Sequence, residues 1–417
     1  MTVLKNGTVL VDGKLVRTDI RFTDIIEEIG PDLEDDTIID ATGLTILPGL
    51  VDVHVHLREP GREYKETIET GSAAAAHGGF TTIFAMPNVI PFPSTQETVI
   101  PYQEKLKHAH VRVFPYGTIT KDEAGKELTD YEALKKLGVG WFSDDGVGVG
   151  DASVMKAALR SAAQADVLFA CHTEDMNYRR PGASVHESLE PRWIGIPSEC
   201  ESAQLIRDLD LLAQTGGKYH GCHISARQSV EALEKAQKAG LDVTAEVTAH
   251  HLLLEDKDVT GPNEKMNPPL RTHDDRMALI EGLEQGTLTF IASDHAPHSQ
   301  KEKSQPMDKA PFGIVSLETS FPLLYTEFVA SGRWSLPQLA NWMSTAPARR
   351  FGLDDCGEIK AGKRADFVLV DEHRPGLIDA AAFLSKGKNT PFDGWPTACT
   401  ITRTICGGKT AWKGQDA

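Results

Sequence analysis

The sequence predicts an α/β fold, in which a (β/α)8 barrel stands beside a small β-sandwich domain formed by the two chain ends. Between residues 50 and 349, short apolar segments alternate with segments of helical periodicity. Both chain ends instead contain short alternating segments separated by turn residues. The length of 417 residues exceeds the ~250 residues of a typical barrel and leaves room for a second domain.

The terminal segments, residues 1–49 and 350–417, form the predicted sandwich domain. The first contains TVLKNGTVLVDGKLV, DIRFTDIIEEIG and TIIDATG, in which apolar and polar residues alternate and Asn-Gly and Asp-Gly occupy turn positions. This pattern is typical of hairpins. The last contains GEIKAGKRADFVLVD and ACTITRTICGGKTAWKG, with the same alternation and Gly-rich turns. The similar patterns predict that the two ends meet in one domain.

The barrel, residues 50–349, is predicted from eight apolar segments that have the length of buried strands. They are LVDVHV, TTIFAM, VRVFPYG, GVGWFS, VLFAC, YHGCHI, DVTAEV and LTFIAS. Helical stretches such as DASVMKAALRSAAQA and ARQSVEALEKAQKAG lie between them. Buried strands that alternate with helices indicate a parallel sheet, and eight repeats fit a barrel. The alternative is an open doubly wound sheet, which the lack of a G-x-G-x-x-G motif after the first strand disfavours.

The composition excludes several classes of protein. Hydrophobic residues make up 40% and charged residues 25% of the chain, values that exclude disordered and fibrous proteins. The sequence contains neither an apolar run of about 18 residues nor the apolar stretch of a secretory signal. The six cysteines show neither disulfide spacing nor a CxxC motif, which predicts a cytoplasmic location. The net charge of −17 disfavours nucleic acid and anionic membranes as partners.

The strongest candidate site is the pair His54 and His56, inside LPGLVDVHVHLRE. Residues i and i+2 of a strand point to the same side, so the two imidazoles lie about 7 Å apart and can bind one metal ion. The alternative is two polar residues on a solvated strand face. The segment is otherwise apolar, which favours the metal site.

Further imidazoles and carboxylates follow other predicted strands. Asp145 follows the fourth strand, His172 the fifth, His223 the sixth and Asp294 the eighth. The carboxyl ends of barrel strands meet at one face, where barrel enzymes place their active sites. Imidazole nitrogens and carboxylate oxygens are suitable zinc ligands where thiolates are absent. Asp145 is placed to bridge two ions.

Some of these positions have alternatives. Either Asp144 or Asp145 is expected to cap the turn before the helix that begins near Asp151. His220 could replace His223, but it lies three residues earlier and points to the opposite side, so we expect it to pack or to support a ligand. His250 and His251 follow the seventh strand and are expected to be structural or supporting, because adjacent residues of an extended chain diverge.

Eight strings carry a family resemblance across residues 48 to about 319. They are PGLVDVHVHLREPG, GGFTTIFAMPN, FSDDG, CHTED, CHISA, MNPPLR, SDHAPH and APFGIVSLET. The chain resembles the cyclic amidohydrolases of the amidohydrolase superfamily, and among them the bacterial type I dihydroorotases. The string GEIKAGKRADFVLVD near the carboxyl end is similar to the β-sandwich part of that superfamily.

The resemblance implies two Zn²⁺ ions per subunit, although the same ligands also accept cobalt or manganese. His54, His56 and Asp294 would hold one ion, His172 and His223 the other, and Asp145 would bridge them. Many relatives bridge with a carboxylated lysine, but WFSDDG contains no lysine. That departure is shared with the type I bacterial dihydroorotases and counts against hydantoinase and allantoinase.

The resemblance also implies the contacts to the substrate, whose ring bears a carboxylate. Arg58 lies two residues after His56 and can bind that carboxylate with two hydrogen bonds. The implied set is His56, Arg58, Asn88, Asn267, His298 and the backbone of Phe312 and Gly313. The alternatives are a surface ion pair of Arg58 with Glu59 or Glu63, and a turn role for Asn88 after Pro87.

The implied reaction is the reversible hydrolysis of L-dihydroorotate to N-carbamoyl-L-aspartate, which in reverse closes the ring in pyrimidine (UMP) biosynthesis. A hydroxide that bridges the metal ions would attack, with Asp294 as general base and then acid. A homodimer is expected, and an association with aspartate transcarbamoylase is left open. The competing functions are dihydropyrimidinase, hydantoinase or allantoinase, and a non-catalytic partner of aspartate transcarbamoylase, which the six filled ligand positions disfavour.

Residues 299–310, SQKEKSQPMDKA, are polar, rich in lysine and without periodicity. We interpret them as a mobile loop over the barrel mouth. It is either a lid that closes on the substrate or an idle surface loop.

Overall fold

Strands and helices alternate through the middle of the chain, which confirms the predicted α/β class. The computed structural model describes residues 1–414, and within that range eight parallel strands follow one another. They are Leu50–Val55, Phe80–Ala85, Arg112–Pro115, Trp141–Phe142, Leu168–Cys171, Lys218–Gly221, Val243–Thr248 and Phe290–Ala292. The intervening helices are Ile68–His77, Gln96–Leu106, Tyr131–Lys135, Ala152–Ala165, Glu199–Thr215, Arg227–Lys238, Ala249–Leu253 and His273–Gln285. We call residues 50–292 the parallel-strand unit.

Strand pairing in this unit follows the order of the chain. Parallel ladders join the first three strands to one another, and the last five likewise. Isolated parallel bridges join Gly117 to Phe142 and Val55 to His295. Since parallel strands all point the same way, the residues that follow them lie at one end of the unit. The candidate ligands are placed there by this geometry.

The helices pack their apolar faces onto the strands. In Ala152–Ala165, the buried residues Met155, Ala158, Leu159 and Ala162 recur at helical spacing. The Asp151 side chain accepts hydrogen bonds from the first free backbone N–H groups, and this fixes the start of the helix. The helix ends at Asp166, which adopts a left-handed conformation with φ 51°. The sequence pattern therefore locates this helix to within one residue.

The two chain ends form two further sheets within the described residues. One sheet pairs Ile26–Gly30, Asp19–Phe22, Thr2–Lys5 and Thr37–Asp40 in that order. The other pairs Lys409–Lys413, Thr400–Cys406, Phe367–Asp371, Thr45–Pro48, Thr8–Val11 and Lys14–Arg17. The antiparallel pairing of Thr45–Pro48 with Phe367–Asp371 joins the two ends of the chain in one sheet. Residues 415–417 of the predicted sandwich segment lie outside the described residues.

Part of the carboxyl-terminal segment lies against the parallel-strand unit. Phe383 and Phe392 share a buried cluster with Met266 and Ile314. The Asn389 side chain accepts a hydrogen bond from the backbone N–H of His298 at 3.0 Å and donates to the Gly313 carbonyl at 3.1 Å. Residues near 389 therefore help to shape the end of the unit that holds the candidate site.

Four helical segments follow the eighth strand before the chain returns to the terminal sheets. They are Gln300–Lys303, Ser320–Leu324 continued to Val329, Leu336–Ala340 continued to Thr345, and Ala346–Arg350. Within residues 1–414, no helix combines the length and apolar character needed to cross a bilayer.

Phe351 packs against aromatic side chains of several parallel strands, among them Trp141 and Phe290, which begin the fourth and eighth strands. It is buried, and its ring lies 4.8 Å from that of Phe84 and 6.2 Å from that of Phe290, measured between centroids. We expect Phe351→Ala to lower the free energy of unfolding by about 3–5 kcal/mol, because a cavity replaces these contacts. Phe351→Leu should cost less than half as much. Denaturant unfolding checks this.

A matched control is Ile100→Ala, since Ile100 is 46% exposed on the helix Gln96–Leu106. Its unfolding free energy should stay within about 0.5 kcal/mol of the wild type. Equal losses for Phe351→Ala and Ile100→Ala would contradict a packing role for Phe351.

Candidate metal centre and substrate pocket

The ends of five parallel strands position the predicted ligands. His54 lies within the first strand, and His56 follows it directly. His172 directly follows the fifth strand. His223 and Asp294 each lie two residues after a strand and have positive φ values of 34° and 46°. Non-glycine residues at positive φ are uncommon and often occur at functional sites, and here the unusual backbone turns both side chains toward the same centre.

Asp145 lies at the middle of this cluster. Its Oδ1 atom is 3.3 Å from His54 Nε2, 3.7 Å from His223 Nε2 and 3.8 Å from His172 Nδ1. Its Oδ2 atom is 3.4 Å from His56 Nε2. One carboxylate therefore contacts both predicted histidine pairs, as a bridging ligand must.

Asp294 closes one side of the cluster. Its Oδ1 atom lies 3.1 Å from His56 Nε2 and 3.5 Å from His54 Nε2. On the other side, His172 Nδ1 and His223 Nε2 are 3.0 Å apart. All six predicted ligands thus come together in two overlapping groups that share Asp145.

The donor atoms fit metal binding. The buried atoms His54 Nε2 and Asp145 Oδ1 have no hydrogen-bond partner among the described residues, although buried polar atoms are normally satisfied. The groups His54, Asp145, His223 and His54, His56, Asp294 each place their ligand atoms within 4.8 Å of one another. A cation bound between these nitrogen and oxygen atoms would satisfy the orphaned pair.

A third group, His54 with Cys222 and Glu246, also meets this distance criterion. Burial raises the pKa of the Cys222 thiol, which keeps it neutral. Cys222 belongs to the apolar cluster inside the strands. We therefore assign Cys222 to packing.

Polar partners fix the far side of two ligand rings. His54 Nδ1 lies 2.7 Å from Glu246 Oε1, and Glu246 Oε2 lies 3.0 Å from His220 Nε2. His56 Nδ1 lies 3.0 Å from Asn88 Oδ1. A carboxylate and an amide oxygen can only accept, so each Nδ1 donates and each Nε2 keeps its lone pair for the centre.

The charges of the cluster stabilise one another. Burial alone would raise the pKa of Asp145, but the charge of His54 and the close imidazoles of His223 and His56 hold it well below its usual value. Burial also opposes ionisation of Asp294, yet the same imidazoles lower its pKa. Conversely, burial would lower the pKa of His54, but the surrounding carboxylates raise it. Ionised carboxylates in such a dry site need positive charge beside them, which either a protonated imidazole or a bound cation supplies.

A cavity of about 290 Å³ opens onto the cluster. Its lining includes every predicted substrate contact: His56, Arg58, Asn88, Asn267, His298, Phe312 and Gly313. Gly313 has φ 120°, and a Cβ atom there would lie 2.6 Å from the Ala296 Cβ. Only glycine fits, so the backbone itself forms this wall of the cavity.

Arg58 is buried in this wall. Its Nε donates to the Pro297 carbonyl at 3.3 Å, and burial lowers the pKa of the guanidinium to about 10. Within the described residues, Glu59 pairs with Lys105 and Glu63 accepts from the Gly61 backbone. The surface ion pairs considered as the alternative for Arg58 are not formed, and its charge faces the cavity.

His298 joins the cavity wall to a lysine that sequence reasoning missed. Lys65 Nζ lies 3.1 Å from His298 Nδ1, and His298 Nε2 lies 2.7 Å from the Phe312 carbonyl. Since the ammonium can only donate, Nε2 carries the ring proton and donates to Phe312. Lys65 also pairs with Glu302 at 2.9 Å. No sequence signal distinguishes Lys65 from the other polar residues of its loop.

Two further residues of the site, Glu246 and Glu174, could have been recognised from their positions in the sequence. Glu246 is the acidic residue inside the buried strand Val243–Thr248, where an isolated carboxylate needs a specific partner. Glu174 lies two residues after His172, and its Oε2 is 3.1 Å from His172 Nε2. Arg179, which pairs with Glu174 and lines the cavity, carries no such signal.

The structure resolves the alternatives raised by the sequence. Asp144 accepts from the backbone N–H groups of Ile119 and Thr120 at 2.8 and 3.1 Å, and burial raises its pKa to about 6. It therefore holds the neighbouring strand end, whereas Asp151 caps the helix. Among the described residues, the carboxylates of Asp144 and Asp145 accept from Ile119, Thr120 and Asn88 and not from the turn before that helix, so the expectation that one of them caps this turn was wrong.

The remaining histidines lie outside the cavity lining. His220 supports Glu246. His251 contacts Thr248 and the Pro268 carbonyl at 2.7 and 3.0 Å. Both ring nitrogens of the buried His250 lack a hydrogen-bond partner among the described residues.

The segment 299–310 is packed rather than structureless. It contains the short helix Gln300–Lys303, capped by Ser299. The buried Lys303 donates to the carbonyls of Lys265, Pro311 and Gly313 at 3.2, 3.2 and 2.9 Å. The segment is thereby tied to the backbone that forms the cavity wall.

Comparison with known proteins identifies the family. A family model described as dihydro-orotase-like matches residues 43–229. A relative from Anoxybacillus flavithermus, named dihydroorotase, is 50% identical over 99% of this chain and 98% of its own. The chain belongs to the dihydroorotase family. A second dihydroorotase, from Bacillus cereus, is 48% identical over 100% of this chain and 99% of its own. The family resemblance predicted from the sequence is confirmed.

Solved structures of related enzymes share the fold of this dihydroorotase-family chain. An L-hydantoinase (dihydropyrimidinase) from Arthrobacter aurescens superposes with a TM-score of 0.90 at 26% identity, covering 99% of this chain and 96% of its own. A D-hydantoinase from a Thermus species gives a TM-score of 0.87 at 25% identity, covering 99% and 95%. The similarity spans the parallel-strand unit and the terminal sheets together.

The two adjacent aspartates provide a direct test of the metal centre. We expect Asp145→Asn to lower metal content and to reduce affinity for the ions more than ~100-fold, because the shared carboxylate is lost. Asp144→Asn should keep its metal and lose stability instead, since Asp144 accepts from the backbone N–H groups of Ile119 and Thr120 and from the Thr120 hydroxyl and contacts no predicted ligand. Elemental analysis and thermal unfolding of both variants separate these outcomes. Equal metal content in the two variants would contradict the assignment of Asp145.

Proposed function

We propose that this chain is a dihydroorotase, a cyclic-amide hydrolase that interconverts L-dihydroorotate and N-carbamoyl-L-aspartate. One observation carries the proposal: a buried guanidinium, Arg58, lines the same cavity as the His/Asp cluster. A cyclic amide that carries a ring carboxylate matches both features, because its carboxylate can pair with Arg58 while its amide faces the cluster. Full-length relatives named dihydroorotase support the same conclusion.

The cluster is proposed to hold two zinc ions per subunit. His54, His56 and Asp294 would bind one ion, His172 and His223 the other, and Asp145 both. The four nitrogens and two carboxylates are donors that zinc accepts. When bound, the ions would lower the pKa of water toward ~7 and polarise the substrate carbonyl.

Asp294 is the proposed proton carrier. It lies at the edge of the cluster and lines the cavity, so it reaches both a water at the centre and the ring nitrogen of a substrate. Its depressed pKa keeps it ionised and ready to accept a proton from water. The protonated acid can then donate to the leaving nitrogen. In the reverse direction, the same carboxylate accepts that proton as the ring closes.

The cavity wall is proposed to recognise the rest of the substrate. Arg58 would bind the ring carboxylate, and the amides of Asn88 and Asn267 and the ring of His298 would donate or accept around it. The backbone of Phe312 and Gly313 would meet the polar edge of the ring. Asn88 also contacts His56 and Asp145, so it couples the substrate to the metal centre.

The architecture is proposed to be a (β/α)8 barrel, residues 50–349, with a β-sandwich domain from residues 1–49 and 350–417. The parallel pairing along the strands and the bridge from Val55 to His295 support barrel closure. Phe22 of one terminal sheet and Val9 and Phe367 of the other belong to the same buried apolar cluster, which supports a sandwich.

We further propose a homodimer in the cytoplasm. All six cysteines lie within the described residues and are free thiols, which supports a reducing compartment.

Substrate choice tests the assignment of Arg58. We expect the zinc-loaded protein to turn over dihydroorotate with a kcat/KM at least ~100-fold above that for dihydrouracil, which lacks the carboxylate, because Arg58 is then left buried and unpaired. Arg58→Lys should raise KM for dihydroorotate about 10–100-fold. Arg62→Met, in the same loop but outside the cavity lining, is the control. Hydantoin or dihydrouracil turned over as well as dihydroorotate would overturn the proposal.

Replacement of Asp294 tests its role as proton carrier. We expect Asp294→Asn to reduce kcat by about 10²–10⁴-fold, because an amide cannot accept the water proton. Metal content, measured in parallel, separates loss of the base from loss of an ion. Asp308→Asn, exposed in the packed segment 299–310, should keep full activity. Near-normal turnover by Asp294→Asn would exclude this role.

A further inference from the structure

Glu174 links a metal ligand to the substrate wall. Its Oε2 atom accepts hydrogen bonds from His172 Nε2 and from Asn267 Nδ2, both at 3.1 Å. Its Oε1 atom pairs with the Arg179 guanidinium. Glu174 is buried, so each of these contacts is made away from water.

The contact with His172 fixes which ring nitrogen faces the centre. A carboxylate paired with Arg179 has no proton to donate, so His172 Nε2 must carry the ring proton. His172 Nδ1 then keeps its lone pair, and this atom lies 3.0 Å from His223 Nε2. Two ligands at ~2.1 Å from one zinc ion stand about 3.4 Å apart in a tetrahedral arrangement. Glu174 therefore presents His172 in the tautomer that a second ion requires.

The four histidines differ in this kind of support. His54 has Glu246 behind it and His56 has Asn88. At the second ion, His223 Nδ1 has no hydrogen-bond partner among the described residues. Support for the imidazoles of that ion therefore comes through His172 alone.

Arg179 extends the link to the cavity wall. Its guanidinium lies 4.6 Å from the centroid of the Phe312 ring and lines the cavity. A cation over an aromatic face is attracted to it, so Arg179 is held between Glu174 and Phe312. The same carboxylate thus restrains one metal ligand and, through Asn267 and Arg179, two parts of the substrate wall.

We propose that Glu174, held by Arg179, is a positioning residue that sets the affinity of the second metal ion and the placement of Asn267. The inference rests on the two-ion centre of the proposed function. Supporting hydrogen bonds of this kind typically change metal affinity 10–100-fold when removed. Because Glu174 supports only the ion held by His172 and His223, its removal should weaken one of the two metal affinities and leave the other unchanged.

The test measures both metal affinities of the full chain. Metal-free protein is titrated with Zn²⁺ against a competing chelator, for the wild type, Glu174→Ala, Glu174→Gln and Arg179→Met. We expect Glu174→Ala to weaken one of the two affinities by about 10–100-fold and to leave the other within threefold. Glu174→Gln and Arg179→Met should give smaller losses in the same affinity, because a neutral acceptor or an unclamped carboxylate still reaches His172.

Two further measurements accompany the titration. Arg180→Met is the matched control. Arg180 follows Arg179 in the chain but pairs with the surface residue Glu190, so both metal affinities should stay unchanged. With zinc in excess, Glu174→Ala should still show a raised KM for dihydroorotate through misplacement of Asn267. Thermal unfolding of each metal-free variant verifies that it is folded.

Unchanged affinities in folded Glu174→Ala, or equal weakening of both, would overturn the inference. The number of zinc ions that the wild type binds, and its turnover of dihydroorotate, separate this result from failure of the proposed function. Two bound ions and turnover of dihydroorotate by the wild type, with no selective loss in Glu174→Ala, would exclude the positioning role alone. A wild type with fewer than two zinc sites would overturn both.

Discussion

The site is organised around one buried carboxylate, Asp145, whose oxygens lie within 3.3 to 3.8 Å of four imidazoles. An ionised carboxylate is unstable in a dry interior unless positive charge and hydrogen-bond donors surround it. Here those partners arrive from different strands, so they meet only when the strands are in register. Three features bring the imidazoles to Asp145. They are the order of the strands, the positive φ angles at His223 and Asp294, and the hydrogen bonds that Glu246 and Asn88 accept from the ligand rings.

The charge distribution explains how an acidic chain can bind an anion. The net charge is −17, which by itself would suggest a cationic substrate. The cavity wall instead holds Arg58 and Arg179, with Lys65 behind His298. Burial strengthens the attraction of these cations for an anion in the cavity, since charges in a low-dielectric cleft are screened less than those on the surface. The acidic excess therefore lies elsewhere on the molecule and concerns solubility rather than ligand choice.

The carboxyl-terminal segment contributes to the site as well as to the terminal sheets. Asn389 holds the backbone of His298 and Gly313, and Ser385 donates to the buried Glu66. Changes far along the chain can therefore alter the cavity wall without touching a ligand. Asn389 connects the loop after the eighth strand to the backbone of Gly313, so it holds two parts of the cavity wall together.

The sequence by itself determined the α/β class, the boundaries of most strands and the six candidate ligands, because alternation within strands and their carboxyl ends are local signals. It also contained the family motifs. The role of Asp144 was not among these local signals, because its carboxylate accepts hydrogen bonds from the backbone of Ile119 and Thr120, which follow a neighbouring strand. The roles of Glu174, Arg179 and Lys65 likewise depend on contacts between loops that are distant in the chain. Such contacts are set by tertiary packing, which brings together groups that no local pattern connects.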